Sequence, residues 1–179
     1  MDTEAMIAAC LEAGAYKAAV VDVAQIPFDK GLRAYCEANA CGSYGKNWAC
    51  PPAVGEAEEL IDRVKAFDKA LVYQTVGTLE DSFDLEGMEE AAVRHGQVSA
   101  AIQRALSDVL PSRQLMLTAG GCTLCPVCAR VEDKPCRFPD KALSSLEAYC
   151  INVSSLAPRC GMRYINGENT VTYFGAVLY

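Results

Sequence analysis

Apolar positions recur along the chain with two periods. At helical spacing, Met6, Ile7, Cys10 and Leu11 share a face and predict a helix over 2–14, capped by Asp2 or Thr3 and stopped at Gly14. Leu60, Ile61, Val64 and Phe67 predict a second over 56–67, with acidic residues leading and Lys65 closing it, as the helix dipole favours. A third, over 85–110, carries the stripe Met88, Ala92, Val98, Ile102, Leu106 and Leu110 and ends at Pro111. Shorter helices are expected near 30–35 and over 141–149, whereas 154–162 reads as less regular. Four β-rich runs, 16–23, 70–76, 115–119 and 171–178, predict strands. This alternation predicts an α/β class: one domain over 1–179, with a sheet of about four strands covered by helices. Its two middle crossovers are right-handed if the strands they join are parallel. No repeat or long linker divides the chain.

Two stretches break both periods. Residues 36–52 hold Gly42, Gly45, Pro51 and Pro52, and residues 122–139 hold Pro126, Pro135 and Pro139, so both read as loops. Composition makes these loops the centre of interest, because the chain has 10 Cys against 1 His in 179 residues. Its start has neither a basic region nor a long apolar run, so no secretory leader and no membrane span are expected. A cytoplasmic location follows as the expectation, and a disulfide framework is a poor account of the cysteines there. Thiols this dense then point to metal or redox work. The formal net charge of −7 disfavours nucleic acid as a partner.

The strongest motif is Cys122-x2-Cys125-x2-Cys128-x7-Cys136. Three thiolates at successive three-residue steps wrap one compact centre, the pattern of cubane iron–sulfur clusters. Gly120 and Gly121 let the chain bend where the preceding strand ends. Structural zinc also takes four thiolates, usually as two separated pairs, and stands as the alternative metal.

The second set is Cys36-x4-Cys41-x8-Cys50, with Pro51 after its last cysteine. Three thiolates leave a fourth position open to Cys160, Cys150, an oxygen ligand, another subunit or an external molecule. Cys50 could instead complete the other loop's site, as a Cys before Pro does in two-cluster ferredoxins. Cys10 and Cys150 read as core, and Cys160, in PRCGMR, as either ligand or structural thiol.

Lys46, Asn47 and Trp48 lie between the second and third cysteines of this set, where they can shield a cluster and donate hydrogen bonds to its sulfides. Lys46 and Trp48 are therefore the candidate cofactor-contacting residues. Arg130, Lys134 and Arg137 flank the four-cysteine motif and would balance a cluster's negative charge or face solvent. His95, in mid-helix, is expected to be exposed rather than a ligand. The acidic run 80–90 reads as a solvated helix start. There is no phosphate-binding glycine motif and no Ser/His/Asp arrangement.

The segments YGKNWACPPAVG and CTLCPVCARVEDKPCRFPDKALSSLEAY, with the ending TYFGAVLY, resemble the DUF2284 family of predicted metal-binding proteins over nearly the whole chain. The resemblance implies a cysteine-bound metal, most plausibly iron–sulfur, in proteins mainly of anaerobes. It matches Cys36, Cys41, Cys50, Cys122, Cys125, Cys128 and Cys136, and it implies a small residue such as Gly where this chain has Cys150, a departure that argues against Cys150 as a ligand general to the family.

The expected protein therefore binds one or two [4Fe–4S] clusters and transfers electrons to a redox partner. An enzyme or cluster-handling protein with an open iron, and a zinc-held interaction module, are its rivals. Seven matched thiolates are one short of two complete cubanes, which leaves room for a subunit interface in a homo-oligomer.

Overall fold

In the computed structural model, which describes residues 2–107, 109–111 and 113–179, the sheet is organised around its longest strand, Lys69–Thr78 (β2). Lys17–Asp22 (β1) runs antiparallel along one edge of β2, and Thr170–Leu178 (β5) antiparallel along the other. Leu115–Thr118 (β3) pairs antiparallel with β5, and the two-residue strand Ser144–Ser145 (β4) pairs parallel with β3. The order is β1-β2-β5-β3-β4, an open mixed sheet of five strands. Parallel neighbours are confined to β3 and β4. The last strand inserts between β2 and β3, so the long helical crossover spans a strand that arrives later in sequence.

Register sorts the side chains between two faces. Ala70, Val72, Phe174, Ala176, Leu178 and Leu117 point one way, into a core completed by Leu60, Val64, Leu146, Tyr149, Ile151 and Leu156. Those residues belong to helix Ala57–Lys65 (α3), the single turn Glu147–Tyr149 and helix Val153–Arg159 (α5), with their flanks. Leu71, Tyr73, Met116 and Val177 point the other way, against Met6 and Cys10 of helix Thr3–Glu12 (α1) and Val98, Ile102 and Leu106 of helix Leu85–Leu106 (α4). Each fully buried Leu, Ile or Met contributes about 2 kcal/mol, so both faces are strongly committed. Cys10 is one of these packing residues, as its helical position predicts.

Three local expectations are corrected. Residues 141–149 form no α-helix. Ser144 and Ser145 pair with β3 instead, and one helical turn ends at Cys150 in a left-handed conformation (φ 60°). Residues 153–159 are helical, because Asn152 accepts a hydrogen bond from the Ser155 amide and caps the turn. The long helix ends at Leu106, before the proline, and Asp108 lies outside the described residues. Asp84 caps that helix by accepting from the Gly87 amide, so the acidic run is a helix start as expected.

His95 departs from expectation more sharply. It is 2% exposed, within hydrogen-bond distance of the Thr75 hydroxyl (2.9 Å) and stacked on Tyr73. Burial holds its imidazole neutral, with the pKa lowered to about 4. No helix among the described residues is long and apolar enough to cross a membrane.

Candidate metal centre

Strand β3 is buried because Leu117 and Met116 face opposite cores, and the chain must leave the sheet where apolar residues run out. Gly120 turns it out with φ +73°. The loop that follows brings all four of its cysteines together. Cys122, Cys125, Cys128 and Cys136 line one small pocket, of about 20 Å³, with Asn47, Trp48 and Phe138. A helical turn, Ala129–Glu132, lies within the loop and ends at Asp133 in the left-handed region (φ 52°), which sends the chain back toward Cys136.

The first cysteine loop closes this cavity. Asn47 Nδ2 donates to the Cys122 carbonyl (2.8 Å), while Asn47 Oδ1 accepts from the Ala49 amide (3.0 Å). Trp48 Nε1 donates to the Lys134 carbonyl (2.9 Å), and the Arg130 guanidinium lies 5.2 Å from the centre of the Trp48 ring. Gly121 lets the loops approach closely: a Cβ there would stand 3.3 Å from Cys50 Sγ and 3.4 Å from Asn47 Nδ2. Trp48 is thus a bracket between loops.

Cys36 sits on helix Leu32–Glu37 (α2), Cys41 on an exposed turn, and Cys50 half-buried before Pro51. Burial pushes the Cys50 thiol up to about 11, and Cys41, Cys36, Cys122 and Cys128 add to the rise. Cys50 therefore lies between the two sets. Burial also raises Cys36, with Arg33 opposing and Cys41, Glu147 and Cys150 adding. Deprotonating several such thiols in one small region is unfavourable without a cation to receive them, which is what a thiolate-bound metal centre supplies.

Cys160 stands apart. It caps α5, packs against the apolar core, and is raised to about 11 by burial alone. Cys150 is fully buried beside Arg33 and Lys30.

Lys46 is exposed and borders a wider, open groove, of about 420 Å³, between Ser43 and Cys122, Cys125 and Cys128. Among the flanking cations, Arg130 pairs with Asp133 and Lys134 with Glu132, while Arg137 lines the cavity and donates to the Val127 carbonyl (3.0 Å). Among the described residues, no three His, Cys, Asp or Glu side chains converge on one point as a single ion requires. Around a tetrahedral zinc, thiolates would stand about 3.8 Å apart. Around a cubane each binds a different iron, so no such convergence is needed.

Arg33 was not legible as a site residue. Nη1 donates to the Ala148 carbonyl (3.1 Å) and Nη2 to the Gly55 carbonyl (3.0 Å), so one guanidinium joins α2, the end of the first loop and the turn before Cys150. Its place three residues before Cys36 on one helix face was the available signal.

A family model described as predicted metal-binding protein (DUF2284) matches residues 19–179. No curated protein and no solved structure matches the chain.

Proposed function

The chain belongs to the DUF2284 family of predicted metal-binding proteins, and from that premise we propose that it is an iron–sulfur protein that transfers single electrons to a redox partner. Cys122, Cys125, Cys128 and Cys136 would hold a [4Fe–4S] cluster. The observation that carries this reading is that all four thiols, supplied by one loop and three of them at the three-residue steps a cubane favours, line the same pocket. When bound, such a cluster supplies reversible one-electron chemistry.

The chain's own residues suit that task. Trp48 and Phe138 set aromatic rings in the wall of the pocket beside the thiols. Arg137 places positive charge at its wall, which favours the more negative, reduced state. Leu124, Val127, Val131 and Phe138, all in the same loop, are exposed apolar side chains between 44% and 60% accessible. They form a collar on which an electron-transfer partner could dock close to the centre.

A second reading rests on the groove beside Lys46, whose size fits a small substrate next to the thiols. On that reading the protein is an enzyme or cluster-handling factor.

Anaerobic purification, with iron, zinc and acid-labile sulfide measured per chain and spectra before and after dithionite, tests the proposal. At least about four irons and four sulfides, with absorbance that bleaches on reduction, are expected. Zinc without sulfide overturns the cluster and leaves a structural metal module.

A further inference from the structure

We infer that Cys150 is the fourth thiolate of the Cys36, Cys41 and Cys50 set, so that the chain carries two complete sets of four cysteines. The inference rests on the iron–sulfur reading and extends it to the first loop.

The backbone brings Cys150 to that loop by a continuous run of pairings. The Asp29 amide donates to the Cys150 carbonyl (2.8 Å), Phe28 pairs antiparallel with Ile151, and the Asn152 amide donates to the Pro27 carbonyl (2.9 Å). Asp29 then starts the turn into α2, accepting from the Gly31 amide through its side chain (2.8 Å) and from the Leu32 amide through its carbonyl (3.2 Å). Helix α2 carries Cys36 and packs on the turn Glu147–Tyr149 that delivers Cys150. Arg33 locks this arrangement by holding the Ala148 and Gly55 carbonyls at once. The Cys150 thiol adds to the charging cost of Cys36, and Arg33 eases both.

The other spare cysteines have different surroundings. Cys10 packs in the core between α1 and α4, and Cys160 packs on the opposite core. Cys150 is fully buried with the Arg33 guanidinium, the Lys30 ammonium and the Asp29 carboxylate around it. It also occupies a left-handed backbone position (φ 60°, ψ 19°), which glycine adopts freely and an L side chain does not. A glycine would serve the turn better, so the thiol is there for what it contacts. With Cys150, each set numbers four and no ligand from outside the chain is required. A first cluster bound by four thiolates has no open iron, which favours electron transfer over substrate chemistry at that loop.

The test compares wild type with Cys150→Gly, a change that relieves the backbone and leaves the apo fold at least as heat-resistant. Both are reconstituted anaerobically and then oxidised mildly with ferricyanide, which releases an iron lacking a thiolate as ferrous ion. Wild type is expected to hold about eight irons and eight sulfides and to keep them. Cys150→Gly is expected to fall to about seven irons, to show the paramagnetic signal of an oxidised three-iron cluster, and to lose that signal when ferrous iron and a small thiol are supplied together. If both proteins carry clusters and behave alike, Cys150 is no ligand and the iron–sulfur reading stands. If wild type contains no sulfide, both fall.

Discussion

The side-chain amide of Asn47 donates to the carbonyl of Cys122 at 2.8 Å, so a residue of the first cysteine loop sets the position of the first thiol of the second. The same side chain accepts from the Ala49 amide, and Asn47 is buried. Asn47→Ala strands a carbonyl and an amide at once and is expected to cost about 2 kcal/mol. Chemical denaturation of the metal-free chain measures that loss. Asn47→Asp sets a carboxylate against the carbonyl and the thiolates, so it should retain less iron than the Ala variant after gel filtration.

Arg33 is the clamp of the first set. Arg33→Lys keeps the charge but cannot hold the Ala148 and Gly55 carbonyls in one plane. Arg33→Gln removes the charge as well. Both are expected to lower stability by about 2 kcal/mol. Only the Gln variant should shift the first cluster's midpoint potential to more negative values, as a redox titration followed by absorbance would show. Equal potentials in the two variants would remove any electrostatic role for this cation.

Cys160→Ser is expected to leave iron, sulfide and spectrum unchanged, because this thiol packs on the apolar core away from both sets. Its effect should appear in the melting temperature alone, through a hydroxyl placed where a sulfur packed. A lost cluster would return Cys160 to the ligand list.

His95 makes stability depend on pH. Its folded pKa is lowered by burial to about 4, below the usual 6.5, so the unfolded chain binds more protons between those values. Stability is therefore full above about pH 6.5 and falls as pH drops toward 4, by about 3 kcal/mol in all. Melting temperatures between pH 7 and 5, above most carboxylate titration, should fall in wild type and change less in His95→Gln. Parallel curves for the two proteins would assign the slope to other groups.

Gly175 faces the ring of Tyr73 across β5 and β2, where an added Cβ would stand 2.2 Å from the Tyr73 ring and hydroxyl. Tyr73 cannot yield easily, since its hydroxyl donates to Ser99 (2.7 Å) in a fully buried setting. Gly175→Ala is expected to cost about 3 kcal/mol. Gly175→Ala with Tyr73→Leu should recover part of that loss in denaturant titrations.

The elements with a strong local period were legible in advance. The stripe through Leu60, Ile61 and Val64, the runs around Leu71 and Phe174, and the cysteine steps from Cys122 to Cys128 each repeat within a few residues, so neighbours in sequence settle their structure. The four-thiol cavity was legible for the same reason, since one loop supplies all its cysteines. Segment 141–149 was misread because Ser144 and Ser145 obey a pairing with β3 more than 20 residues away. His95 was placed outside because Thr75 and Tyr73, which receive it, lie on a distant strand. Strand order, the insertion of β5 between β2 and β3, the Asn47–Cys122 bond and the packing of the Cys36 helix on the turn before Cys150 belong to the tertiary structure alone. Each depends on which remote surfaces bury one another, and that choice is made by the packing of the whole chain rather than by any one window of it.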